Sequence, residues 1–64
     1  MVFKGVLNNS SSIPTYGYQA GWTYRIGTAG SYAGEACEVG DILIAVNDGP
    51  SSGSSLIAQD WALI

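Results

Sequence analysis

The sequence predicts an all-β fold: a small antiparallel sheet or barrel-like module of about five short strands, with long Ser/Gly loops and no substantial helix. Three observations lead there. Apolar, β-branched and aromatic residues come in short runs bounded by Gly, Asn and Ser, the punctuation of strands and turns. One run, Trp22-Thr23-Tyr24-Arg25-Ile26, alternates apolar and polar with a period of two. No stretch keeps a helical apolar period with an end signal; Leu56 to Ile64 comes nearest, but it has no C-cap, and Trp61 and Ile64 favour a strand.

The elements follow in order. Val2-Phe3-Lys4-Gly5-Val6-Leu7 reads as a first strand ending at Asn8-Asn9. Asn8 to Ala20 is rich in Ser, Asn, Gly and Pro and has no period, and Ile13-Pro14 disfavours helix, so this is a long surface loop. Trp22 to Ile26 is the clearest half-buried strand, with Trp22, Tyr24 and Ile26 on one face. Gly27 to Gly34 reads as turns with Tyr32 in mid-loop, and Ala36 to Val39 as a short strand before the Gly40-Asp41 turn. Ile42 to Val46 is apolar on both faces, which places it inside a packed structure or against a partner chain. Asn47-Asp48-Gly49-Pro50 is turn chemistry extended by Ser51 to Ser55, and Asp60 to Ile64 closes as a strand.

Composition excludes several functions. With 64 residues, 1–64 form a single small β domain. Two basic against five acidic residues give a net charge of −3, without the basic footprint of a nucleic-acid binder. There is no histidine, which removes imidazole-based catalysis and the usual metal ligand. The single cysteine, Cys37, cannot close an internal disulfide. Ile42 to Val46 falls far short of the ~20 apolar residues that cross a bilayer, so membrane insertion is not expected. Met1 to Leu7 lacks a signal-peptide apolar core, and the uncharged strand at Leu63-Ile64 suggests a fragment of a longer polypeptide. At this size, apolar burial and the entropy of ordering nearly cancel, so association between chains is the expected source of further stability.

The candidate chemistry is sparse. Aromatic rings either form the core, as expected for Phe3, Trp22, Tyr24 and Trp61, or stack on sugars from loops, with Tyr16, Tyr18, Trp22 and Tyr32 the candidate glycan contacts. Glu35, Glu38, Asp41, Asp48 and Asp60 show neither a glycosidase pairing nor calcium-loop spacing, and Asp41 and Asp48 read as turn formers. Cys37, with no cationic neighbour, reads as a buried thiol. Lys4 and Arg25 are expected to pair with surface carboxylates. No phosphate-cradling glycine motif occurs, and an enzyme, a cofactor and a metal are not expected.

Three blocks carry a resemblance. They are Val2-Phe3-Lys4-Gly5-Val6-Leu7 with the following Ser/Asn loop, Ile13-Pro14 and Gly17-Tyr18; Ala20-Gly21-Trp22-Thr23-Tyr24-Arg25-Ile26 running into Ala29-Gly30-Ser31-Tyr32-Ala33-Gly34; and Cys37-Glu38-Val39-Gly40-Asp41-Ile42-Leu43-Ile44-Ala45-Val46 with Asp60-Trp61-Ala62-Leu63-Ile64. In that order they resemble the small β repeat of tail-fibre and receptor-binding proteins of bacteriophages and prophages. The chain departs from the repeat at Trp22, where the family often has a small acidic or polar residue, and at Ile64, where the family's strand continues.

The resemblance implies a virion structural module for host attachment, made in the bacterial cytoplasm without a signal peptide and assembling as a homo-oligomer, a trimer about a fibre axis. It transfers no catalytic residue. Ile42, Leu43, Ile44 and Ala45 are the candidate oligomer interface, one face lining the core and the other a neighbouring protomer. The alternative is a carbohydrate-binding module using loop aromatics on bacterial surface glycans.

Overall fold

The computed structural model describes residues 1–64 and places six strands in two small sheets, with 38% of residues in strands and no helix of 7 or more residues. The strands are β1 (Val2–Leu7), β2 (Trp22–Ile26), β3 (Gly30–Tyr32), β4 (Glu35–Cys37), β5 (Ile42–Ala45) and β6 (Trp61–Leu63). Short 3-10 turns at Ser10–Ser12 and Ala58–Asp60 sit in the two long loops. The main sheet has the order β1-β2-β5-β6, and β3 and β4 form a separate hairpin. The sheet stays open, with β1 and β6 as its edges, so the all-β expectation holds without barrel closure.

β2 organises this sheet. It pairs antiparallel with β5, setting Thr23 opposite Ile44 and Arg25 opposite Ile42. With β1 it pairs parallel, from Val2 opposite Trp22 to Leu7 opposite Ile26, which departs from the antiparallel expectation. The reason is the length of the link: a parallel return needs roughly a dozen residues or more, and residues 8–21 supply it. β5 and β6 pair antiparallel, and the ladder continues past the strand ends through Val46 N–H to Asp60 O and Ile64 N–H to Ile42 O.

A bulge interrupts β1, where the register shifts between Phe3 and Gly5. Gly5 takes φ 142° there, a conformation open in practice only to glycine. The extra residue, Lys4, has its ammonium 4.1 Å from the Trp22 ring centroid, so its partner is a ring and not the expected carboxylate.

The β3–β4 hairpin falls where the sequence suggested only turns. Its two-residue connection, Ala33-Gly34, has φ of 52° and 82°, the doubly positive backbone that matches a tight hairpin to strand twist. Tyr32 is therefore the last residue of β3, buried, with its hydroxyl donating to Thr28 O at 2.7 Å.

The core lies between the inner sheet face and this hairpin with the loops. Leu7, Ile26, Leu43, Ala45 and Trp61 come from the sheet, Ile13 and Tyr18 from the first loop, and Tyr32, Ala33 and Cys37 from the hairpin. Trp22, Tyr24 and Leu63 are partly buried against it. The folded surface is 3679 Å², close to the roughly 3,900 Å² that scaling gives for a monomer of this mass.

The two long loops are zipped together beside the core. Gly17 N–H donates to Pro50 O and Gly49 N–H to Tyr18 O, both at 2.8 Å, and Ala20 N–H donates to Asp48 Oδ1 at 2.8 Å. At Gly49 a Cβ would stand 2.5 Å from Tyr18 Cε2, so only glycine lets the second loop lie across that ring. Gly49→Ala is expected to cost about 1–3 kcal/mol in urea unfolding, because an overpacked core must shift. Gly30→Ala, whose Cβ would meet nothing closer than 3.7 Å, is expected to stay within about 0.5 kcal/mol.

Candidate functional site

The outer face of the main sheet is the feature that stands out. Alternation and register put Phe3, Thr23, Ile44 and Ala62 in one row across the four strands. The next row runs Val6, Arg25, Ile42 and Ile64, and Val46 extends β5 on the same side. Phe3 is 63% exposed, Val6, Val46 and Ile64 are exposed, and Ile42, Ile44 and Ala62 are half-buried.

Polar chemistry on this face is minimal. Thr23 is buried between its register neighbours, and its hydroxyl donates to Gly21 O at 3.0 Å. Arg25 is the one charged side chain in the two rows. The carboxylates stand elsewhere: Asp60 accepts from Tyr18 and Asn47, Asp48 from Ala20 N–H, and Asp41 from Glu38 N–H at 2.8 Å, while Glu35 lies in β4 and Glu38 just after it. Asp41 and Asp48 thus act through backbone N–H bonds, as their turn positions suggested.

The expected interface residues divide between the two faces. Ile42 and Ile44 belong to the outer face, but Leu43 and Ala45 are 0% and 1% exposed and point into the core, so they cannot meet a neighbouring protomer. β5 is thus apolar on both sides because one side is the core and the other is open.

The expected glycan contacts fare similarly. Tyr18 and Tyr32 are each 1% exposed and cannot offer a ring to a sugar. Tyr16 is 56% exposed in the first loop, and Trp22 is half-buried beneath Lys4. Phe3, expected in the core, is on the outer face instead, because its partner in register is Thr23 and not a core residue.

Tyr18 does structural work. Its hydroxyl donates to Asp60 Oδ2 at 2.5 Å, and Asn47 Nδ2 donates to the other oxygen, Oδ1, at 3.2 Å. Its ring lies 5.0 Å from that of Trp61, tilted by 47°. Burial, and after it the Asp60 hydrogen bond and charge, push the Tyr18 hydroxyl up to about 12. The Trp61 indole N–H, buried and outside hydrogen-bonding geometry, still lies close enough to the Tyr18 oxygen to oppose part of that rise.

Cys37 is a free, buried thiol pushed up by burial and then by Asp41 and Glu35, the opposite of what activates a nucleophile. No group of three His, Cys, Asp or Glu side chains converges to hold a metal, and no cavity opens in the surface.

No known protein family matches the chain, and no curated protein or solved structure is significantly similar to it.

The Tyr18–Asp60 contact predicts alkaline behaviour. An unfolded chain releases the Tyr18 proton near 10 and the folded one near 12, so the unfolded state holds fewer protons across that window. Stability is fully present below pH 10 and is lost as pH rises toward 12. Tyr18→Phe is expected to cost about 1–2 kcal/mol at neutral pH through the lost hydrogen bond. It should also flatten the fall in thermal midpoint above pH 10, which melting curves of both proteins from neutral to alkaline pH would read.

Proposed function

We propose that this chain is a structural and interaction module of a phage tail fibre or receptor-binding appendage, and that it works by associating with further copies of itself. The observation that carries the assembly part is the outer sheet face, apolar across four strands and uncovered by any element of the chain. The fibre setting rests on the three blocks that resemble the phage repeat, and a trimer is the order that resemblance implies. The virion is the corresponding location.

Contiguous exposed apolar side chains across a whole sheet face, rimmed by polar residues, are the kind of patch that serves as an interaction surface. The sheet explains why the patch exists. A strand that fills the core on one side and carries Ile42 and Ile44 on the other is economical only when both sides are covered in the working assembly. The carbohydrate-binding reading keeps only Tyr16 and part of Trp22 as available rings, and no concavity frames them.

Sedimentation equilibrium tests the reading. The weight-average mass is expected to rise with concentration between about 10 μM and 1 mM, the range in which interfaces below the standard size operate. A constant mass of 6.6 kDa throughout would remove self-assembly as the function.

A further inference from the structure

We propose that the outer face pairs with the outer face of a second copy, the two sheets stacking about a two-fold axis parallel to the strands, with Phe3 of each chain seated over Ala62 of the other. This rests on the self-association proposed above, not on the trimeric order that the phage resemblance implies, and names a surface, a single second copy and a geometry.

The sheet edges are poor alternatives. β1 carries the Lys4 bulge and β6 has only three residues, both devices that discourage edge-to-edge pairing. Charge favours the face as the meeting point of like chains. Each copy carries −3, and none of its five carboxylates stands in the two outer rows, so repulsion is least when copies approach through them.

The orientation follows from the order of side chains. In the first row Phe3 lies on edge strand β1 and Ala62 on the opposite edge strand β6, with Thr23 and Ile44 between. A two-fold axis parallel to the strands exchanges the edges and keeps the rows, which sets the large Phe3 over the small Ala62 and Thr23 over Ile44. In the second row it sets Val6 over Ile64 and Arg25 over Ile42. An in-plane axis across the strands would exchange the rows instead and stack Phe3, the largest apolar side chain of the face, on the branched Val6 rather than on the small Ala62. Interdigitation of large with small is what packed sheets require, at about 10 Å separation and about 30° between strand directions.

Arg25 is compatible with this arrangement. Sheets about 10 Å apart, offset by one strand spacing of about 4.8 Å, hold the two Arg25 backbone positions roughly 11 Å apart, so neither Arg25 stacks directly on the other. Its aliphatic stem can cover Ile42 while the guanidinium extends past the end of the sheet.

The area sets the strength. Four strands about 4.8 Å apart and on average about 15 Å long give each face a footprint of roughly 300 Å². Two such faces sum to roughly 600 Å², under the ~1,200 Å² at which stable interfaces begin. Free chains therefore pair weakly, and the contact becomes firm only where a shared assembly holds copies close together, through effective concentration.

The test compares the parent chain with four variants by sedimentation equilibrium, circular dichroism checking that each keeps its fold. Phe3→Ser and Ile44→Thr are expected to raise the dimer dissociation constant at least tenfold, Arg25→Leu to lower it, and Tyr16→Ser to leave it unchanged. In a mixture of isotope-labelled and unlabelled chains, intermolecular contacts are expected from the Phe3 ring to the Ala62 methyl group. Self-association that survives both outer-face variants, that fits three copies and not two, or that brings Phe3 against Val6 would overturn the pairing and leave self-assembly standing. A chain that stays monomeric at every concentration would overturn both.

Discussion

A four-stranded sheet has two faces, and the residues of this chain outside the sheet cover one of them. The inner face takes all that is available: Ile13 and Tyr18 from the first loop, Tyr32, Ala33 and Cys37 from the hairpin, and the second long loop closing over Tyr18. The outer face is left open to solvent. Its apolar rows follow from that constraint, as does the separation of Leu43 and Ala45 from Ile42 and Ile44 on a single strand. The core and the open surface are two consequences of one allocation.

Covering the inner face depends on Tyr18. Two loops without regular strands must be fixed against the sheet, and loops lose more entropy on ordering than they recover from scattered contacts. Tyr18 concentrates the recovery: its ring packs on Trp61, its hydroxyl meets Asp60, and its carbonyl takes the Gly49 N–H. Asn47 holds the second Asp60 oxygen, so the carboxylate has donors on both oxygens. One of the four residues expected to contact a sugar is the pin that joins the two loops.

Much of the fold was legible because it is written in local pattern. The alternation of Trp22 to Ile26 and the apolar run from Ile42 give the two central strands, and Gly40-Asp41 gives the turn between hairpin and sheet. What escaped was non-local. A parallel partner for β2 leaves no mark beyond the length of the intervening loop. The hairpin was hidden because Ala33 supplies a positive φ usually signalled by Asn or Gly. The burial of Tyr18 and Tyr32 was illegible because each ring hangs from a loop or a three-residue strand, where no period tells which way it points. The candidate site was half legible: the two-sided apolar strand flagged a partner surface at Ile42 and Ile44, but Phe3, its largest apolar side chain, reads from sequence like any core aromatic.

An apolar face that waits for a partner must also avoid indiscriminate association, and the same sequence manages that. None of the five carboxylates of this acidic chain lies in the two outer rows, so copies arriving by its other surfaces meet more of the like charge. The bulge and Lys4 blunt the longest edge strand, which would otherwise template growth without limit. Arg25, alone among apolar neighbours, carries a charge whose desolvation any close contact must avoid, which limits how tightly the face can bind. A face kept weak and an edge kept unattractive suit a part whose neighbours are delivered by a larger assembly: the contact needs to be specific in orientation more than strong, because proximity is supplied by the chain's surroundings.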